Sequence, residues 1–392
     1  MRIGLVKPDW GIRGGFEVVV DRVVRDLSAA GHDVDVVQVA VAELGRTPFG
    51  ASVDPLVWAQ APEWFTHMAL VERFRALDLS DYDVVVSTQP PSYAVRHPRH
   101  LALFYHHQRA FYDLEDVWVA AGRADAALHR AASALLRHAE ADDIAGVGHF
   151  LVGSRRVQER LGEFHGPGLS MSLYEAAAPV VDAEAGGGSH VLTVSRHEFT
   201  KRTELTVQAL ALGDVPGVLV GDGGRLPYVR DLAARFATGA LDPVAVAPQD
   251  LWLNLGLPAG DEDPAPAPHV RLLGRVDDAT LDGLYRDALC VVAPAYDEDD
   301  GLTVREAMAY GRPVVVCRDG GGLTAFVEHG VNGLVVEPDG AAIAAAVAEL
   351  AGDPDLAARL GRAGQEKART LTEARARRQL LDAVERTAEL SR

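Results

Sequence analysis

Two carboxylates, Glu298 and Glu306, stand eight residues apart around the start of an amphipathic segment. The apolar run 288–294 precedes them and reads as a buried strand. An acidic loop, 297–300, follows. Gly301 then opens a segment with helical periodicity (Leu302, Ala307, Met308) that stops at Gly311-Arg312-Pro313. A loop that leaves the carboxyl end of a parallel strand and opens into a helix is where open α/β sheets place ligands. The N–H groups of Gly301, Leu302 and Thr303, with the positive end of the helix dipole, can hold a phosphate. Arg196 and Lys201 are a further candidate pair. They are five residues apart, one at a predicted strand end and one at a predicted helix start, so both can turn toward one anion. The arginine offers a planar fork and the lysine a point charge. The competing readings are one more acid in an acidic loop for Glu298, and a surface pair for Arg196 and Lys201.

The elements that must position these groups need a long chain. At 392 residues, two domains are the natural division. Hydrophobic content of 48% and charged content of 24% fit a globular protein. A net charge of −18 argues against non-specific nucleic-acid binding. Cys290 and Cys317 sit in apolar runs and read as small core residues in a reducing compartment, not a disulfide or metal pair. The opening MRIGLVKPDW reads as a short strand and not a secretion signal, and no apolar run approaches the roughly 18 residues of a membrane span. A cytoplasmic location is therefore expected.

Along the chain, strands are expected at 2–6, 34–39, 83–87, 101–105 and 149–152, with a helix at 16–30 behind the glycine-bearing loop 9–15. That loop lacks GxGxxG, so the dinucleotide fingerprint is absent. Two histidines and an arginine, His106, His107 and Arg109, end the fourth strand; a polar loop with a capping histidine is the alternative. A long amphipathic helix is expected at 120–141, with Arg123, His129, Arg130, Arg137 and His138 as either a basic membrane-facing stripe or a solvated face. Ser154 is a plausible cap for a helix at 154–161. The stretch 166–189, ending in Gly186-Gly187-Gly188-Ser189, is the best linker. A second β/α series follows, with strands at 191–195, 218–220, 270–273, 289–294, 314–316 and 334–336. It contains an acidic Pro/Ala-rich loop at 256–268, and a last charged helix runs over 373–390. Two doubly wound domains are implied.

Several motifs, in order, resemble the GT-B fold retaining glycosyltransferases of family GT4 (glycosyl transferases group 1). Gly14-Gly15-Phe16-Glu17 is similar to the family's GGxE loop. Ser195-Arg196 with Lys201-Arg202 is similar to SRxxxxKR, and Gly221-Asp222-Gly223 to GDG. Leu273-Gly274-Arg275-Val276 resembles LGxV, Glu298 and Glu306 supply E-x7-E, and Glu306-Ala307-Met308-Ala309 with Gly311-Arg312-Pro313-Val314 resembles EAMAxGxPVV. Asn332-Gly333-Leu334-Val335 completes the set. The likeness covers roughly residues 190–350 and the first loop. It departs where the family has Gly-Phe-Gly and this chain has Asp299-Asp300-Gly301, and where Ala325 replaces a carboxylate.

The resemblance implies two Rossmann-like domains facing across a cleft. Residues 1–170 would bind the acceptor and 188–370 the donor, and a helix, 371–392, would cross back to the first domain. It implies transfer of a hexose-type sugar, with retention and without a metal or other cofactor, from a nucleoside-diphosphate sugar (UDP favoured, GDP-mannose the other choice). The acceptor would be a hydroxyl of a glycan, lipid or secondary metabolite. Arg196 and Lys201 would stabilise the diphosphate, with Gly15 closing over it and Gly301, Leu302 and Thr303 meeting it. Glu306 would hold ribose, Glu298 the transferred sugar, and Arg275 and Val276 the base. His106 would lie near the reacting carbon, with His107 a near tie and Arg109 beside it on the acceptor side. Alternatives are a nucleotide-sugar epimerase of the same fold and a non-catalytic nucleotide-sugar-binding protein.

Overall fold

The computed structural model describes residues 1–11, 15–254 and 267–390. Gly14 of the first glycine pair and nearly all of the 256–268 loop lie outside the described residues. The chain divides into two units, Met1–Ala176 with Glu373–Arg392, and Ala177–Thr372.

The first unit holds a six-stranded sheet. Its strands are β1 (Arg2–Asp9), β2 (Asp33–Ala40), β3 (Val84–Ser87), β4 (His100–Phe104), β5 (His149–Val152) and β6 (Met171–Leu173), in the order β2-β1-β3-β4-β5-β6. The second unit holds β7 (His190–Val194), β8 (Gly217–Val220), β9 (Val270–Gly274), β10 (Ala288–Ala293), β11 (Val314–Cys317) and β12 (Gly333–Val336), in the order β12-β11-β10-β7-β8-β9. Every pairing is parallel. Parallel strands covered on both faces are apolar throughout, and VVVS, HLALF, ALCVVA and VVVC follow that rule with nearly every residue buried. These are two Rossmann-like sheets, as the sequence implied.

Three elements differ from expectation. β6 lies inside the expected linker, because Phe150–Val152 offers Met171–Leu173 an edge to pair with. The Gly186–Gly188 run lies within the second unit, where a Cβ on Gly188 would come within 2.3 Å of the Ala288 backbone. The expected 120–141 helix is two, Glu115–Ala120 and Ala126–Ala145, the second capped by Asp125 accepting from the Leu128 N–H. Its basic groups partly turn inward. His129 is buried with Nε2 against the Ala110 carbonyl, and Arg137 lies over the Tyr112 and Phe164 rings while pairing with Glu115. Ser154 caps Arg155–His165 as expected. Among the described residues no helix is long and apolar enough to cross a membrane.

The helix Glu373–Ala388 completes the first unit. Leu380 and Val384 are fully buried beside Leu101, Leu103 and Leu151. The same unit buries His100 against the Ser87 hydroxyl and His149 between the Ser170 and Ser172 hydroxyls. Burial, with His97 nearby, pushes His100 down to about 3. Burial, with Arg386 nearby, pushes His149 down to about 4. The unfolded chain therefore binds these protons first, so stability is full above pH ~6.5 and falls on acidification by about 1.4 kcal/mol per pH unit per histidine. Denaturant unfolding between pH 7 and pH 4 should show this slope, and His100→Asn should remove about one proton from it.

Candidate functional site

Strand order in the second sheet reverses between β7 and β10, and ligands of doubly wound sheets bind outside the carboxyl ends at such a point. The loops leaving these two strands, 195–202 and 294–301, carry Arg196, Lys201, Glu298 and Gly301. They are fastened to each other. The Tyr296 N–H donates to the Thr200 carbonyl at 2.7 Å. Arg202 adopts the left-handed conformation (φ 48°) and is buried. It donates to the Pro294 carbonyl at 2.7 Å, the Ala295 carbonyl at 3.2 Å and the Asp319 carboxylate at 2.6 and 2.9 Å. Its guanidinium carbon lies 5.4 Å from both the Trp252 and Tyr296 ring centroids. The second basic residue of the Lys201-Arg202 pair is thus a strut. The Thr303 hydroxyl, 3.1 Å from the Val194 carbonyl, pins the start of the Leu302–Ala309 helix to the end of β7.

The loops bring Lys201 and Glu298 into an ion pair, both side chains mostly covered. Arg196 is exposed and has no side-chain partner among the described residues. Gly321 and Gly322 lie against the backbone of the acidic loop, where a Cβ on Gly322 would meet the Asp299 carbonyl at 2.6 Å. Leu302 and Thr303 have N–H groups with no acceptor among the described residues. Gly301 departs from the expectation, since its N–H is already bonded to Asp300 Oδ1 at 2.8 Å. Arg275 is exposed, and Val276 packs half-buried beside the β10 core.

Glu306 is half-buried on the same helix and accepts the Tyr285 hydroxyl at 2.8 Å. Tyr285 is buried and stacks on Tyr310 at 4.8 Å and 10°. Burial pushes the Glu306 carboxyl up, and the tyrosine opposes it. Tyr285→Phe should push it further up, and a titration of the Glu306 carboxyl followed by NMR in the two proteins measures the difference. Tyr285 reaches Glu306 from the helix Asp278–Arg286, which precedes it in the chain.

In the first unit, the order reverses between β1 and β3. Gly15 opens the Gly15–Ala29 helix after β1. Buried Lys7, at the end of β1, reaches Glu17 of that helix at 3.5 Å. Lys7 was not singled out from the sequence. His106 is half-buried, and its Nδ1 lies 2.6 Å from the His107 carbonyl. A carbonyl only accepts, so Nδ1 carries the proton and Nε2 is left for a ligand hydroxyl.

His107 corrects the near tie, because it is fully buried. Its ring stacks on Tyr112 at 4.0 Å and its Nε2 lies 2.8 Å from that of His165. Arg109 likewise turns to Asp113, at 2.6 and 2.9 Å, instead of outward to an acceptor. Behind them Glu140 accepts from Tyr93 and Tyr112 at 2.8 Å each and lies 2.5 Å from His67 Nε2. Burial alone would raise its carboxyl, but His67 and these bonds hold it below the usual range. The polar run after β4 thus supplies one site candidate and a buried network.

Residues 265–367 match the family model described as glycosyl transferases group 1, about a quarter of the chain. The fold agrees with that class at the level of both units. A sucrose-phosphate synthase from Thermosynechococcus elongatus superposes with a TM-score of 0.65 at 19% identity, covering 97% of this chain and 96% of that one. Anabaena HepE in complex with UDP-glucose superposes with a TM-score of 0.64 at 16% identity, covering 98% and 99%. The fold is therefore GT-B. Among curated relatives, a D-inositol 3-phosphate glycosyltransferase of Corynebacterium efficiens is 37% identical over 144 residues, 36% of this chain and 32% of that protein. An uncharacterized glycosyltransferase of Methanocaldococcus jannaschii is 46% identical over 69 residues, 18% and 17% respectively. The matches span less than a third of these relatives' lengths.

Proposed function

We propose that the protein is a retaining glycosyltransferase that moves a hexose from a nucleoside-diphosphate sugar, UDP-linked by preference, to a hydroxyl of a glycan, lipid or secondary metabolite. The observation that carries this is the arrangement at the β7/β10 switch point. A cation, Lys201, and a carboxylate, Glu298, face each other, the loop of Lys201 also carries the exposed Arg196, and the N–H groups of Leu302 and Thr303 are open after the loop of Glu298. A leaving diphosphate gains charge as the sugar's C1–O bond breaks, and fixed cations and helix N–H groups stabilise that charge without a metal. Glu306 suits the ribose diol and Glu298 the hydroxyls of the transferred sugar. Arg275 and Val276 lie beside the base. His106, through Nε2, suits an acceptor hydroxyl. The acceptor oxygen bonds to C1 on the face the phosphate leaves, and its proton passes to a phosphate oxygen. The match over residues 265–367 supports the class, and HepE's complex with UDP-glucose supports the donor preference.

The test is a panel of UDP-, GDP- and other nucleotide hexoses, with and without EDTA, against glycan, lipid, metabolite and inositol 3-phosphate acceptors. Products are read for anomeric configuration. Transfer with retention, insensitive to EDTA, is expected. Interconversion of the donor without transfer would favour the epimerase alternative. Binding without turnover would favour the non-catalytic one.

A further inference from the structure

Asp300 stands immediately before Gly301, the N-cap of the Leu302–Ala309 helix, and Arg305 is the fourth residue of that helix. Helices often place two apolar side chains at these positions, whose contact fixes the angle at which the chain enters. Here the positions carry opposite charges. Arg305 is 1% exposed and reaches the Asp300 carboxylate through Nη2. The same Oδ1 accepts the Gly301 N–H at 2.8 Å. Phe326 closes the arrangement, its ring centroid 4.4 Å from the guanidinium carbon, and a Cβ on Gly301 would lie 3.0 Å from that ring.

This pair is not well made for stability. Arg305 Nε and Nη1 and Asp300 Oδ2 are buried with no partner among the described residues. An apolar pair of similar volume would avoid that desolvation. What the charges supply is direction. One carboxylate oxygen is tied both to the cap N–H and to a guanidinium, so the chain can enter the helix at one angle only. Glu298 lies two residues before Asp300, and the open N–H groups of Leu302 and Thr303 follow directly after the cap.

We propose that Asp300 and Arg305 form an ionic staple, a pair of positioning residues that sets Glu298 and the helix start in register for the donor. The inference rests on the donor-site reading above. Neither side chain touches the donor; both act through the backbone between them. It also gives residue 300 of the Asp299-Asp300-Gly301 departure a partner within this chain, Arg305.

The experiment measures UDP and GDP affinity by calorimetry and donor KM and kcat, beside thermal stability, for four proteins: the unmodified chain, Asp300→Asn, Arg305→Met and Asp300→Phe/Arg305→Leu. Asp300→Asn keeps the shape and removes the charge, so it reads the pair even where Arg305→Met does not fold. Asp300→Asn is expected to weaken nucleotide binding about tenfold and raise donor KM by a similar factor. The double variant, with an apolar staple, should recover to within about threefold of the unmodified protein. A loss of thermal stability in Asp300→Asn with unchanged affinity and KM overturns the inference and leaves the donor site standing. An unmodified protein that binds neither nucleotide overturns the donor reading itself and the inference with it.

Discussion

Lys201→Ala and Glu298→Ala should move two observables apart. Lys201→Ala should lower kcat for transfer by about two to three orders of magnitude, the usual loss when one fixed group facing developing charge is removed. It should also weaken UDP binding, because Glu298 is then left facing the diphosphate without its counter-charge. Glu298→Ala should lower transfer about a hundredfold yet leave UDP binding unchanged or tighter. The Glu298 carboxylate pairs with Lys201, so its removal frees the ammonium for phosphate. Calorimetry with UDP beside initial rates with the labelled donor separates the two. A parallel loss of UDP affinity in both variants would show that Glu298 only holds Lys201 in place and does not meet the sugar.

Arg312→Lys should be the most damaging substitution for stability. Arg312 is buried, and its guanidinium donates to five backbone carbonyls: Tyr310, Gly186, Gly187, Ala288 and Glu184. It closes the end of the Leu302–Ala309 helix and fastens the glycine run to the start of β10. Burial lowers its pKa, which marks the desolvation the bonds must offset. A lysine has three donors on a flexible stem and no fork. Most of those carbonyls would lose their partners while a charge stayed buried, at about 3–5 kcal/mol. For a unit of this size the melting temperature should fall by roughly 6–20 °C. Thermal unfolding with a probe in the second unit measures it, and a fall within 2 °C would remove the clamp from the account.

Legibility followed periodicity. Most expected strands appear within a residue or two, because valine-rich runs bounded by Gly, Pro and polar residues have few other ways to be buried. β6 escaped because its three residues, MSL, are too few for a pattern and are only half-buried at a sheet edge. The break at 121–125 escaped because alanine continues a helical pattern on both sides of the Asp125 cap. In the site, that Arg196, Lys201 and Glu298 lie in loops at strand ends was legible, but the ion pair of Lys201 with Glu298 was not. Nor were the roles of Arg202, Arg305 and Arg312. An arginine reads as surface in a sequence, and only the carbonyls and carboxylates gathered by the fold show it to be internal. His107 failed for the converse reason, since a polar doublet after a strand does not say which ring the pleat turns inward.

The chain leaves the first unit after Ala176 and returns to it at Glu373. Domains fold as units during synthesis, usually the N-terminal one first. Here the first unit cannot close its core until residues 373–388 have left the ribosome, because Leu380 and Val384 fill it. The second unit has all its strands before then. The first unit is therefore expected to complete its core after the second, and until then Val20, Val23 and Leu27 of the Gly15–Ala29 helix cover only part of the first sheet's apolar face.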